Sequence, residues 1–221
     1  SAEAVDGVGI PTNAIQRQMD MIFVAEPATE KNAAMEGKSI KDIAREQGKE
    51  MIDAFLDLTL EEEFETTFGS RISNDDEFPV GEMLKSPYTL PGLSDGGAHV
   101  QFNANYGYTT HLLGHWVREK QVLTLEEAVR KLTFVPASLF GMYDRGMIRP
   151  GMAADLVVFD PDTVGAQPKE NVADLPAGAM RVRQLATGVG YTIVNGEVLI
   201  EAGEHTGAYP GKVARNSSYR G

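Results

Sequence analysis

The sequence predicts an α/β fold built in two stages, and three observations carry that expectation. Strand and helix patterns alternate up to about residue 145. After Pro150-Gly151 the segments become short and β-rich. The chain has 221 residues, 42% of them hydrophobic, enough for one large domain or two ordinary ones with buried cores. Alternation of this kind suggests parallel βα units. At most three plausible units are present, too few to close a barrel of eight.

The elements follow in chain order. Residues 1–36 read as irregular, apart from the apolar stretch Met19–Ala25, whose β-branched and aromatic content favours a buried strand. A helix follows through Ile40, Ile43 and Ala44, with Ser39 as N-cap and Asp42 three residues on. A second helix runs from about Glu50 through Ile52, Phe55 and Leu58. Thr66–Ile72 is a candidate strand, and Asn74 is expected to cap a short acidic helix that Pro87 stops. Tyr88–Leu93 reads as an apolar strand leading to a turn at Ser94-Asp95-Gly96-Gly97. Helices are expected at about 109–120 and 125–134. The second has apolar residues at Leu125, Ala128, Val129 and Leu132 and a capping box of Thr124 and Glu127. A short helix through Ser138 ends at Gly141. Strands are expected at Asp155–Phe159, Tyr191–Val194 and Glu197–Ile200, the last two joined by an Asn195-Gly196 hairpin turn. Residues 203–221 are polar and Gly-rich and read as a tail.

Charge and composition exclude several functions. With 20 Lys and Arg against 32 Asp and Glu, the net charge is 20 − 32 = −12. That opposes general binding to a nucleic-acid backbone, which needs clustered cations. Arg181 and Arg183 form the densest basic spot and read as a solvated strand edge. No apolar run approaches the roughly 18 residues of a membrane helix, and no signal-peptide pattern opens the chain, so the expected location is cytoplasmic. The absence of Cys excludes disulfides, thiolate nucleophiles and Cys-ligated metals. Any metal site must draw on acidic residues, a modified side chain, or the four histidines His99, His111, His115 and His205.

Leu93-Ser94-Asp95-Gly96-Gly97-Ala98-His99 is the sharpest chemical feature. A carboxylate at the end of an apolar strand, followed by two glycines and a histidine, suits the carboxyl end of a parallel strand, where α/β sites form. An ordinary Asp-Gly turn accounts for the same residues. His111 and His115 share one helix face at a spacing that can bind zinc. No Glu stands beside His111 as a metalloprotease helix requires, and a helix-surface or core role is the reading preferred for the pair. The run Glu61-Glu62-Glu63 reads as a solvated helix end, Trp116 as core packing, and His205 as part of the tail.

Several stretches together carry a resemblance. The Leu93–His99 motif resembles the eighth-strand motif of amidohydrolases of the D-aminoacylase (N-acyl-D-amino-acid deacylase) group. Leu125–Thr133 with Pro136-Ala137 is similar to the helix that follows in that group, and Ile148–Asp160 to its return from barrel to β-sandwich. Val194-Asn195-Gly196 and Pro210-Gly211-Lys212-Val213 resemble its last hairpin and tail. The resemblance implies the last strands and helices of a metal-dependent (β/α)8 TIM-like barrel followed by part of a small β-sandwich. The expected boundaries are 1–147 for the barrel part, 148–202 for the sandwich segment and 203–221 for the tail. It implies hydrolysis of non-peptide C–N bonds, typically deacylation of N-acyl-D-amino acids, with one or two zinc ions. Asp95 then matches the aspartate that faces the metal and acts as general base, and itself contacts the metal. Ser94, Gly96, Gly97 and His99 become the substrate loop.

One departure matters. The group's first-strand His-x-His pair has no match, since no two of the four histidines are separated by one residue. The chain starts at Ser1 rather than Met. It is therefore expected to be the carboxyl-terminal portion of an amidohydrolase, inactive alone. Its expected partners are a small-molecule amide and either the missing amino-terminal part of the barrel or a second copy. Cyclic-amide hydrolysis of the dihydropyrimidinase type and a non-catalytic truncated module are the alternatives.

Overall fold

The computed structural model describes residues 19–71, 74–94, 97, 99–101 and 105–216. They form two compact units, one ending at Glu77 and the other beginning at Phe78.

In the first unit, strand β1 (Ile22–Glu26) pairs antiparallel with β2 (Thr67–Ser70), in a register that sets Ile22 opposite Ser70. Between them lie a 3-10 helix (Glu30–Met35), α1 (Ile40–Gln47) and α2 (Met51–Glu61). Helix α1 starts as the sequence predicts. Ser39 is extended, and its hydroxyl accepts the amide of Asp42 at 3.0 Å. Gly48 ends the helix in the left-handed region at φ 66, where a side chain is strained. The apolar faces of both helices close over β1, burying Val24, Ile40, Ile43, Ala44, Ala54 and Leu58. Burial of these aliphatic groups is the main force holding the unit together.

The second unit begins within α3 (Glu77–Lys85), at Phe78. The helix starts three residues beyond Asn74, so the expected cap lies outside it. Helix α4 (Tyr108–His111) runs straight into a π-helix (Leu112–Glu119). There the amide of Lys120 reaches the carbonyl of His115 at 2.8 Å, five residues back. Thr124 caps α5 (Leu125–Leu132) by accepting the amide of Glu127 at 3.2 Å, and α6 (Phe134–Leu139) follows. The remaining strands are β3 (Leu156–Phe159), β4 (Gly165–Val172), β5 (Arg181–Thr187), β6 (Val189–Val194), β7 (Glu197–Glu201) and β8 (Glu204–His205). One sheet has the order β3-β6-β7-β8, and β4 and β5 form a separate two-stranded ribbon. Asn195 and Gly196 turn the β6–β7 hairpin with φ values of 49 and 83. The core joins Leu112, Leu113, Trp116, Leu123, Ala128 and Val164, so it draws on both sides of residue 147.

Three expectations need correction. Every strand pairing among the described residues is antiparallel, so the parallel βα units suggested by the alternation are not found there. The helices α1 and α2 return the chain to β1 with its direction reversed. Strand β8 lies within the stretch expected to be a tail. Strand β4, the partner of the Arg181–Arg183 strand, was not expected, because Gly165–Val172 contains Pro168 and four charged or amide side chains and lacks a clean apolar alternation. No helix of the described residues is long and apolar enough to cross a membrane.

Candidate functional site

The approach to the motif is irregular, not a strand. Thr89–Ser94 carries no regular secondary structure. Pro91 has no amide to give a ladder, and Leu93 sits at φ 67 with 84% of its surface exposed. In place of the expected apolar strand, Thr89–Ser94 is an irregular loop. Asp95 and Gly96 lie outside the described residues. Of the substrate-loop candidates, Ser94 is half-buried, Gly97 has φ 90, and His99 is exposed at φ 52.

Two sets of contacts hold this segment. On its amino-terminal side, the Lys131 amine reaches out of α5 and donates to the carbonyls of Ser86 at 2.6 Å and Thr89 at 2.8 Å. Lys131 is only 6% exposed, and burial pushes its pKa down. The hydroxyl of Thr89 also donates to the carbonyl of Met83 at the end of α3. On the carboxyl-terminal side, the amide of Val182 on β5 donates to the carbonyl of Val100 at 2.8 Å. Sequence reading places Lys131 in the family-like helix without predicting that its amine is buried. Its place flanking the apolar stripe of Leu125, Ala128, Val129 and Leu132 was the available signal.

The histidines do not converge with the motif among the described contacts. The rings of His111 and His115 stack at 4.8 Å with an interplanar angle of 14°, which bears out the shared face. His115 Nδ1 lies 3.0 Å from a Glu119 oxygen, and that hydrogen bond lowers the Glu119 pKa. Its ring also meets the edge of Trp116, which is buried as expected. Among the described residues no three His, Asp or Glu side chains come together to hold a metal ion. His205 lies on β8, where its Nδ1 accepts the amide of Gly207 at 2.9 Å.

The acidic run holds a surprise. Glu61 fits the solvated reading, with an exposed ion pair to Lys31 at 2.6 Å. Glu62 contradicts it, being only 3% exposed. Its carboxylate accepts from the amides of Ala28 at 2.8 Å and Thr29 at 3.1 Å, and from the side chains of Thr29, Asn32 and Thr66 at 2.7, 3.0 and 2.6 Å. Burial opposes the charge, but these donors outweigh it and lower the pKa to about 2. Glu62 pins the 3-10 helix and the start of β2 to the end of α2, and it is not a ligand. Arg181 and Arg183 are strand-borne, as expected, and pair with Asp174 at 2.6 Å and Glu170 at 2.9 Å.

The second unit has an open-mouthed cavity of about 440 Å³ lined by residues of α4, α5 and β3. Its walls are mainly apolar, with Leu113, Leu132, Phe159 and Val189 among them. Its carboxylate, Asp155, is occupied by Arg145 at 2.5 Å and the amide of Asn195 at 2.8 Å. It therefore fixes the hairpin turn and offers no free base.

Comparisons with known proteins agree with the family resemblance. The profile described as "Amidohydrolase family" matches residues 11–200. The N-acyl-D-glutamate deacylase of Alcaligenes xylosoxydans xylosoxydans is 54% identical over 59 residues, covering 27% of this chain and 12% of that protein. The D-aminoacylase of the same organism is 32% identical over 181 residues, covering 81% of this chain and 34% of that protein. A D-aminoacylase structure, described with a binuclear metal centre, superposes with a TM-score of 0.52 at 29% identity, covering 85% of this chain and 36% of that one. The chain thus spans about a third of the length of D-aminoacylase.

Proposed function

The chain belongs to the amidohydrolase family, and from that premise we propose that the complete protein hydrolyses the amide bond of N-acyl-D-amino acids. The observation that carries this reading is the likeness to N-acyl-D-glutamate deacylase and D-aminoacylase; the resemblance of Asp95-Gly96-Gly97 to the group's eighth-strand motif supports it. Membership implies a TIM-barrel-type fold for the complete protein, of which this chain would supply late barrel elements and returning sandwich strands.

Asp95 is the proposed general base. Its carboxylate takes a proton from the attacking water as the oxygen bonds to the amide carbon. It then returns that proton to the departing nitrogen as the C–N bond breaks, so the products are a carboxylate and a free D-amino acid. Ser94, Gly96, Gly97 and His99 form the surrounding loop, where the glycines allow close approach of the substrate. The described residues do not assemble a metal site by themselves. In this reading zinc is held by ligands from the rest of the protein, with Asp95 facing it. The metal's contribution is to lower the pKa of water towards neutrality.

The test is steady-state kinetics on the complete protein with N-acetyl-D-amino acids, their L-enantiomers and cyclic amides. The expected result is turnover of the D-series and a loss in Asp95→Asn of about a thousandfold or more, with the fold retained. Wild-type-like turnover by that variant, or turnover confined to cyclic amides, overturns the reading.

A further inference from the structure

The stretch that reads as a tail is tied down at two points in the second unit. Residues 208–216 carry no regular secondary structure, and asparagine side chains hold them as a strap. In the β6–β7 turn, Asn195 Nδ2 donates to the carbonyl of Pro210 at 2.7 Å. At the far end, Asn216 Nδ2 donates to the carbonyl of Phe140 at 3.0 Å. The second tie is close-fitting, since a Cβ on Gly141 would lie 2.6 Å from Asn216 Nδ2.

Asn195 precedes a glycine, and that pair has a chemistry of its own. The glycine amide nitrogen, unhindered by a Cβ, attacks the side-chain carbonyl carbon of the asparagine. The new C–N bond closes a succinimide ring, and the side-chain nitrogen leaves as ammonia with the proton that the amide gives up. Water then opens the ring to an aspartyl or isoaspartyl residue. Such asparagines are chemically labile wherever the backbone is free to move.

In the folded chain both partners in that reaction are engaged. The attacking amide of Gly196 donates to the carbonyl of Ala154 at 2.9 Å. The leaving amide of Asn195 is the group that holds Pro210. Crowding is not what protects the pair. Both residues are exposed, and a Cβ on Gly196 would meet nothing nearer than the Ala154 Cβ at 3.9 Å.

We propose that Asn195 is a self-modification site gated by the strap: it deamidates through Gly196 when Pro210 lets go, and the loss of its donor then leaves the strap untied. The product sets an oxygen against the Pro210 carbonyl, two acceptors with no proton between them, so the tie does not re-form. The isoaspartyl form also lengthens the backbone of the turn between Val194 and Glu197. None of this depends on the acylase reading.

The experiment incubates the complete protein in mildly alkaline buffer, folded and in urea. Asn195 is then followed by mass spectrometry on the tryptic peptide Gln184–Lys212. The folded protein is expected to convert at least about tenfold more slowly than the unfolded one, and Asn216→Ala to fall between them, because loss of one tie opens the strap more often. No conversion in urea overturns the site. Equal rates folded and unfolded overturn the protection, and equal rates in wild type and Asn216→Ala overturn the gating. Asn195→Asp tests the release separately, since Lys212 lies in the strap. Tryptic cleavage after Lys212 should speed up about tenfold, the loss of one hydrogen bond, while cleavage after the buried Lys131 stays slow. Unchanged or slower cleavage after Lys212 overturns the release, and so does faster cleavage at both sites, which is general unfolding.

Discussion

At the scale of single residues, Glu62 makes the sharpest prediction. Its pKa lies at about 2 in the fold and near 4.5 when the chain is unfolded. A carboxyl depressed in this way stabilises the fold above pH 4.5, and that contribution disappears as pH falls through the interval towards 2. Replacing it by Gln puts an amide NH2 among the donors of Ala28, Thr29 and Thr66. The expected loss is on the order of 3 kcal/mol at pH 7. Urea unfolding at pH 7 and again near pH 3 should show the gap between wild type and Glu62→Gln narrowing as the solution is acidified. A gap of constant size would contradict the assignment. The residue was not legible inside Glu61-Glu62-Glu63, because three identical side chains carry no internal signal. Helical phase did carry one, since Ala54, Leu58 and Glu62 follow at intervals of four and the first two are core residues.

At the scale of elements, local chemistry was read well and pairing was not. Ser39 and Thr124 were legible as caps because a hydroxyl three residues ahead of a free amide is a contact within one turn. The Asn195-Gly196 turn was legible for the same local reason. Strand pairing joins Ile22 to Ser70 across two helices, and no local pattern encodes its direction. The π-helix also escaped, since a change from four to five residues per hydrogen bond leaves the apolar spacing nearly intact. The cap offers an element-scale prediction. Ser39→Ala should cost about 1 kcal/mol and Ser39→Gly only a few tenths, seen as a graded fall in the urea midpoint with an unchanged slope. Equal stability in all three proteins would mean that another group satisfies the Asp42 amide.

At the scale of the whole molecule, the proposed base is legible in the sequence and metal ligands are not. Asp95 stands out because a carboxylate before two glycines is a compact motif, whereas residues brought together from distant strands leave no local pattern. A chain about a third as long as D-aminoacylase can carry the first without the second. Several large apolar side chains of the described residues are exposed, among them Tyr88 at 94%, Ile148 at 89%, Tyr143 at 67% and Phe140 at 61%. One carboxylate does not retain a catalytic metal, because zinc sites use three or four converging side chains. This chain purified alone is therefore expected to carry no stoichiometric zinc and to show no deacylase turnover. The complete protein is expected to show both, and to lose turnover when a chelator strips its metal. Elemental analysis paired with an N-acetyl-D-amino acid assay on the two samples makes the comparison. Stoichiometric metal with turnover in the short chain would mean that Asp95 finds its co-ligands within these 221 residues. The division of labour proposed for the site would then fall with it.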